Sequence, residues 1–152
     1  MADLTYGPYV EEIEMLIRQV SFVIKCRGRD ILNDFEITPP QFNALLLLAE
    51  HGDMTIGELG SRMYLASSTA TDLIDRMERN DLVERIRDTN DRRVVRLHML
   101  ENGRKMIDEV MESRKRYLDN ILAHLSEAEK KKLVESLESI HELMRHEYSR
   151  KT

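Results

Sequence analysis

Helical periodicity gives way to paired strand patterning within residues 55–97, and that change of period limits the fold more than any other stretch. Thr55-Ile56-Gly57-Glu58 is a capping box, in which a hydroxyl and a carboxylate three residues apart satisfy free backbone N–H groups. Ile56, Leu59 and Met63 follow at i, i+3 and i+7, one face of a short helix. Tyr64-Leu65-Ala66 turns the chain, and Ser67 or Ser68 is expected to cap a second helix. Ala70, Leu73, Ile74 and Met77 make the inward stripe of that helix, while Ser68, Thr69, Thr71, Asp72 and Arg76 face outward. Residues 82–87 and 94–99 are β-branched enough to pair across the turn-rich Asp88-Thr89-Asn90-Asp91-Arg92. A helix-turn-helix beside a hairpin tipped by Asp91-Arg92-Arg93 has the shape needed to enter adjacent grooves of double-stranded DNA.

Long helices flank this core. In residues 9–32, Val10, Ile13, Ile17, Val20, Ile24 and Ile31 recur at steps of three and four, with Arg27 in the one polar slot. Thr38-Pro39-Pro40-Gln41 announces the next helix by a cap, a proline at the first helical position and a capping glutamine. A fifth helix over residues 102–124 carries Ile107, Met111, Leu118, Ile121 and Leu125. Ser126-Glu127-Ala128-Glu129 caps a sixth, striped by Leu133, Leu137, Ile140 and Met144. The predicted class is mainly α with a small β component (α+β), a winged helix-turn-helix in a single domain of 152 residues.

Charge bears on what such a shape can bind. The net charge is −5, and residues 52–100 hold eight arginines against nine acids, or −1. Between Arg85 and Arg96, however, five arginines face only Asp88 and Asp91, a local +3. Phosphate binding depends on where cations sit, and arginine's planar fork suits phosphate and guanine. The longest apolar run, residues 44–49, is too short for a bilayer. Met1-Ala2-Asp3 opens without a basic or apolar leader, and a single cysteine excludes an internal disulfide, so a cytoplasmic setting is expected.

The order of elements resembles the MarR (multiple antibiotic resistance regulator) family of winged-helix repressors. So do Ser68-Thr69-Ala70-Thr71, then Asp75-Arg76-Met77-Glu78 and Asp81-Leu82-Val83, and above all the wing Asp88-Thr89-Asn90-Asp91-Arg92-Arg93 with Gly103 opening the next helix. The likeness covers nearly the whole chain. It implies a homodimer joined by terminal helices in residues 1–34 and 104–152, with residues 38–100 as the DNA-binding lobe. It implies recognition helices in successive major grooves of a palindromic operator and wings in the flanking minor grooves. It also implies repression relieved by a small apolar or phenolic effector. Two positions depart from the pattern: Asp72 stands where a basic residue is frequent, and Leu100 where threonine commonly precedes the helix.

Individual roles follow from chemistry. Ser67, Ser68 and Thr69 at a helix start can offer hydroxyls and backbone N–H groups to phosphate. Thr71 and Arg76 are candidates for base edges or the bounding backbone; the alternative is that the hydroxyls only cap and Arg76 pairs with Asp72. Arg92 or Arg93 suits a narrow minor groove, with Asp91 steadying the neighbouring guanidinium; the alternative is a solvated tip with a local ion pair. Val10, Ile13 and Ile17 with Leu137, Ile140 and Met144 either pack within one subunit or interlock across a two-fold axis. The spacing of DNA half-sites favours the second arrangement.

Other chemistry is thin. His141-Glu142-Leu143-Met144-Arg145-His146 misses the zinc motif by one residue, which sets the imidazoles about 140° apart. His51 and His98 have no ligand-spaced neighbours, so neither metal nor cofactor is expected, and no catalytic constellation can be assembled. Lys25 and Arg27 beside Cys26 favour thiolate, against the ordinary reading of a small apolar residue. The competing class is a winged-helix module that docks a protein through its acidic surface without binding DNA.

Overall fold

A computed structural model describes residues 5–150. The opening Met1-Ala2-Asp3, taken above as showing no leader, lies outside them. Residues pack as two compact units, Met1–Ser113 and Arg114–Thr152. In order the elements are α1 (Val10–Asp34), α2 (Pro39–His51), β1 (Met54–Thr55), α3 (Ile56–Arg62), α4 (Ser67–Arg79), β2 (Val83–Arg87), β3 (Val95–Met99), α5 (Glu101–Leu122) and α6 (Glu127–Ser149).

The three expected capping boxes all form. Thr38, Thr55 and Ser126 each accept a hydrogen bond from the backbone N–H of Gln41, Glu58 and Glu129, whose side chains accept in return. Each satisfies two donors that a helix start leaves orphaned. Within the first unit, Phe42 and Leu45 of α2, Leu59 of α3, Ile74 and Met77 of α4, Val83 and Leu97 of the sheet and Val110 of α5 are almost wholly buried. Truncating any one of the larger of these to alanine costs about 2–5 kcal/mol. The stripe Ala70, Leu73, Ile74 and Met77 is buried as its period predicts.

The sheet has three antiparallel strands in the order β1-β3-β2. The hairpin pairs Val83 with Met99 through to Arg87 with Val95, and β1 adds Met54 opposite Leu97. That two-residue strand has no sequence signal of its own. It exists because β3 offers an edge beside the start of α3. Gly103, in the first turn of α5, is buried where a Cβ would sit 2.5 Å from the Leu82 carbonyl oxygen, 2.9 Å from Met99 Cγ and 3.0 Å from Leu45 Cδ2.

One cap differs from expectation. Helix α4 begins at Ser67 itself, and Ala66 occupies the cap position with extended backbone and no side-chain hydrogen bond. The end of α3 sets this register. Leu65 donates back to the Gly60 carbonyl at 2.9 Å while Tyr64 takes a left-handed φ of 55°, so the chain re-enters helix one residue earlier than the serines require.

The apolar seams divide. Ile31 and Leu32 at the end of α1 are buried, whereas Val10, Ile13, Ile17, Val20 and Ile24 are exposed, as are Phe22 and Val23 between them. Cys26 is exposed as well. On α6 no residue is buried, and Leu137, Ile140, Leu143 and Met144 are all exposed. No helix among the described residues is long and apolar enough to cross a membrane.

Candidate nucleic-acid interface

Four residues separate α3 from α4, so the two helices form a helix-turn-helix on the sheet. With Ala70, Leu73, Ile74 and Met77 pointing inward, the opposite face of α4 presents Ser68, Thr71, Asp72, Arg76 and Arg79 to solvent. Ser67, Ser68 and Thr69 fill the first turn, exposed, with no side chain capping the free N–H groups there. Thr71 donates its hydroxyl proton to the Ser67 carbonyl at 2.9 Å, which leaves its oxygen as an acceptor. Arg76 and Asp72 make no ion pair with each other among the described residues, so the local-pair alternative is not the one adopted.

An unfilled cap is an opportunity for an anion. An Ala66→Asp substitution fits the extended backbone at that position and should stabilise the fold by about 1 kcal/mol. It should weaken DNA binding, because the carboxylate occupies the N–H groups that phosphate would use. Thermal melting and DNA titration on the same preparation check both halves. Unaltered DNA affinity would remove the first turn of α4 from the interface.

Arg85 does something that its sequence position does not disclose. From β2 its guanidinium reaches Asp75 Oδ1 at 2.6 Å and Glu78 Oε1 at 2.9 Å, and its backbone N–H donates to Glu78 Oε2 at 3.1 Å. Hydrogen bonding to Asp75 first, and Glu78 second, raises the arginine's proton affinity further. The charge counted above toward DNA is therefore spent tying α4 to the hairpin. An Arg85→Met chain should lose only about 1 kcal/mol of stability, since the pairs are half exposed. Its DNA affinity should fall by more than that, because α4 loses its fixed angle to the wing. A double-mutant cycle with Asp75→Ala measures the coupling.

The wing is a short, internally braced loop. Asp88 donates its backbone N–H to the Val94 carbonyl at 2.9 Å, and Val94 donates to the Asp91 carbonyl at 2.9 Å. Asp88 Oδ1 accepts from the Asn90 backbone N–H at 2.8 Å, and Oδ2 accepts from Arg96 Nε at 2.9 Å. These two partners, the backbone N–H first, hold the Asp88 carboxyl below its ordinary value. A depressed folded value means the bracing is fully present above the ordinary carboxylate range and is lost only as pH falls through the folded value. At neutral pH Asp88 is therefore in the charged form that makes these bonds.

At the tip, Asp91 accepts from the Arg93 backbone N–H at 3.1 Å and from its Nε at 3.2 Å. The Arg93 side chain is nonetheless 91% exposed. Arg92 is exposed, and its guanidinium has no ion pair among the described residues. Of the five arginines in the local +3, then, Arg85 and Arg96 serve the fold, while Arg87, Arg92 and Arg93 remain at the surface.

Two residues escape sequence reasoning. Tyr64, 92% exposed at the helix-turn-helix corner, holds a left-handed backbone that costs a bulky residue about 1–2 kcal/mol. Glu36 and Asp81 take the same backbone just past the ends of α1 and α4, so it is the way these helices stop, and only the exposure of the ring is particular to Tyr64. His98 Nδ1 lies 2.9 Å from Asp53 Oδ1, a contact across 45 residues that ties the strand preceding α5 to the loop before β1. Neither has a local pattern that would have revealed it.

Comparison with known proteins agrees with this geometry. Residues 37–95 match the MarR family. The chain is 52% identical over 121 residues to the HTH-type transcriptional regulator YsmB of Bacillus subtilis, covering 80% of this chain and 83% of that one. Its structure is similar to that of a MarR family protein from Bacillus stearothermophilus, with TM-score 0.81 and 48% identity over 93% of this chain and 99% of the other. The transcriptional regulator Tm0710 of Thermotoga maritima follows, with TM-score 0.80 and 31% identity over 91% and 98%. With a helix-turn-helix, an arginine-tipped wing and relatives that span most of its length, this chain belongs to the MarR family of DNA-binding, winged helix-turn-helix transcriptional regulators.

Proposed function

We propose that the chain acts as a homodimeric repressor on a palindromic operator. The observation that carries this reading is the pairing, within one unit, of an uncapped, hydroxyl-rich helix start on α4 with the exposed guanidiniums of Arg92 and Arg93 on a braced hairpin. Ser67, Ser68 and Thr69 meet phosphate, Thr71 and Arg76 face the major groove, and Asp91 orients Arg93 for the minor groove. Residues 38–100 form the DNA-binding lobe.

Two copies are called for by the exposed seams. Val10, Ile13 and Ile17 form an exposed apolar stripe on α1, and Leu137, Ile140 and Met144 form another on α6, and stripes of this kind mark surfaces that a partner covers. A two-fold assembly through residues 1–34 and 104–152 covers it, and presents two α4 helices to half-sites about 34 Å apart. Release by a small apolar or phenolic effector completes the reading. An open cleft of about 340 Å³ beside the helix-turn-helix corner supports it, lined by Leu46, Leu47, Met63 and Tyr64 together with Asn43, Glu50 and Arg62. A ligand there would act by favouring one setting of α4 over another.

The test is selection of bound fragments from random DNA at several stated salt concentrations, with the mass of the free and bound protein measured in solution. An inverted repeat bound by two chains, with affinity falling steeply with salt, supports the reading. A monomer at micromolar concentration, or an empty selection at every salt, overturns it in favour of a module that docks another protein.

A further inference from the structure

Asp72 occupies the middle of the outward face of α4, opposite the buried stripe, with Ser68 one turn before it and Arg76 one turn after. The other two carboxylates on this helix's flank, Asp75 and Glu78, are neutralised by Arg85. Asp72 is exposed and makes no hydrogen bond or ion pair among the described residues. A bare carboxylate in the centre of a face that approaches a polyanion is repelled by every phosphate it nears. It is accommodated only where a hydrogen-bond donor waits for it.

The major groove offers two such donors, the N6 amine of adenine and the N4 amine of cytosine. They are not equivalent. In an A·T pair the amine lies between two acceptors, adenine N7 and thymine O4, so a carboxylate aimed at it meets a lone pair on either side. In a C·G pair the amine has an acceptor, guanine O6, on one side only, and the cytosine ring C–H on the other. A carboxylate can therefore reach the cytosine amine from the ring side without facing an acceptor.

We propose that Asp72 is a specificity residue whose carboxylate accepts a hydrogen bond from the N4 amine of a cytosine, so fixing a C·G pair at one position of the bound sequence. This rests on the reading that the outward face of α4 meets DNA. The acid weakens binding to DNA at large and strengthens discrimination at one base pair.

The experiment repeats the fragment selection with the full chain and with its Asp72→Ala and Asp72→Asn variants, followed by titration of the recovered site with each base pair placed at the assigned position. Both substitutions are at an exposed helical position, and equal thermal melting confirms that folding is unchanged. The parent should select C·G at that position and lose about 5- to 150-fold in affinity when it is replaced. The Asp72→Ala chain should recover the rest of the site with no preference there, and should bind random-sequence DNA more tightly than the parent. The Asp72→Asn chain should turn toward adenine, whose N6 and N7 suit a side-chain amide. If the parent yields a site and the alanine variant selects the same bases with the same discrimination, Asp72 is a solvated carboxylate and the assignment falls while the DNA reading stands. A lost preference for any base other than cytosine overturns it equally. No site for the parent at any salt overturns both together.

Discussion

An Arg92→Ala/Arg93→Ala chain is expected to melt as the parent does and to lose DNA affinity by roughly 10²- to 10⁴-fold per wing at moderate salt. Charge-assisted hydrogen bonds contribute about 1.5–3 kcal/mol each, and two of them per wing are removed together. The loss is sharpened by what remains. Asp91, which Arg93 balances through both its Nε and its terminal nitrogen, would be left as an unpaired acid at the mouth of a groove whose potential is already negative. Stability should hardly move, since Arg93 is almost fully exposed and Arg92 has no ion pair to lose among the described residues. Titrations across a series of salt concentrations provide the decisive reading. Each lost phosphate contact should reduce the slope of log affinity against log salt by about 0.9. A slope identical to the parent's would mean that the tip never touches the duplex.

Of the glycines among the described residues, Gly103 should respond most to alanine in stability, because an added Cβ meets its closest neighbours there. The new Cβ would lie 2.5 Å from the Leu82 carbonyl oxygen, well inside contact distance, and near Met99 and Leu45 besides. Side chains can shift by a few tenths of an ångström; this backbone oxygen cannot do so freely. It accepts from the Leu100 N–H at 3.0 Å, the bond that closes the hairpin onto the start of α5. Overpacking of this kind costs about 1–3 kcal/mol, and the lost hydrogen bond adds to it, while alanine's better helix propensity returns up to about 1 kcal/mol. A net loss of about 2 kcal/mol lowers the melting midpoint by roughly 4–8 °C for a chain of this size. Circular dichroism of the two proteins side by side checks it. An alanine chain that melts at or above the parent would show that close approach is not why glycine stands there.

Much of the lobe was legible because its signals are local. The inward stripe of α4 and the three capping boxes depend on residues three or four apart, and periodicity reads such spacings directly. The wing was legible for the same reason, since Asp88 through Val94 brace one another within seven residues. What escaped is non-local. Arg85 meets Asp75 ten positions away and on another element, so a tally of charge along the chain assigned it to the wrong partner. β1 is two residues long and is a strand only because β3 lies beside it. The start of α4 escaped for a subtler reason. Two serines advertise a cap, but the geometry that ends α3 decides where the next helix begins, and it hands the position to Ala66. The site residues proposed for the interface come from the same local logic, and the structure adds which of their charges are already engaged.

Because Arg85 grips both Asp75 and Glu78 while its own strand continues into the wing, helix and hairpin form one tool with a fixed bite. Descendants of such a chain cannot retune their target by re-aiming the helix without also displacing the finger. Divergence in what they recognise must instead run through exchange of the few side chains on the outer surface, leaving the pitch of the grip inherited unchanged.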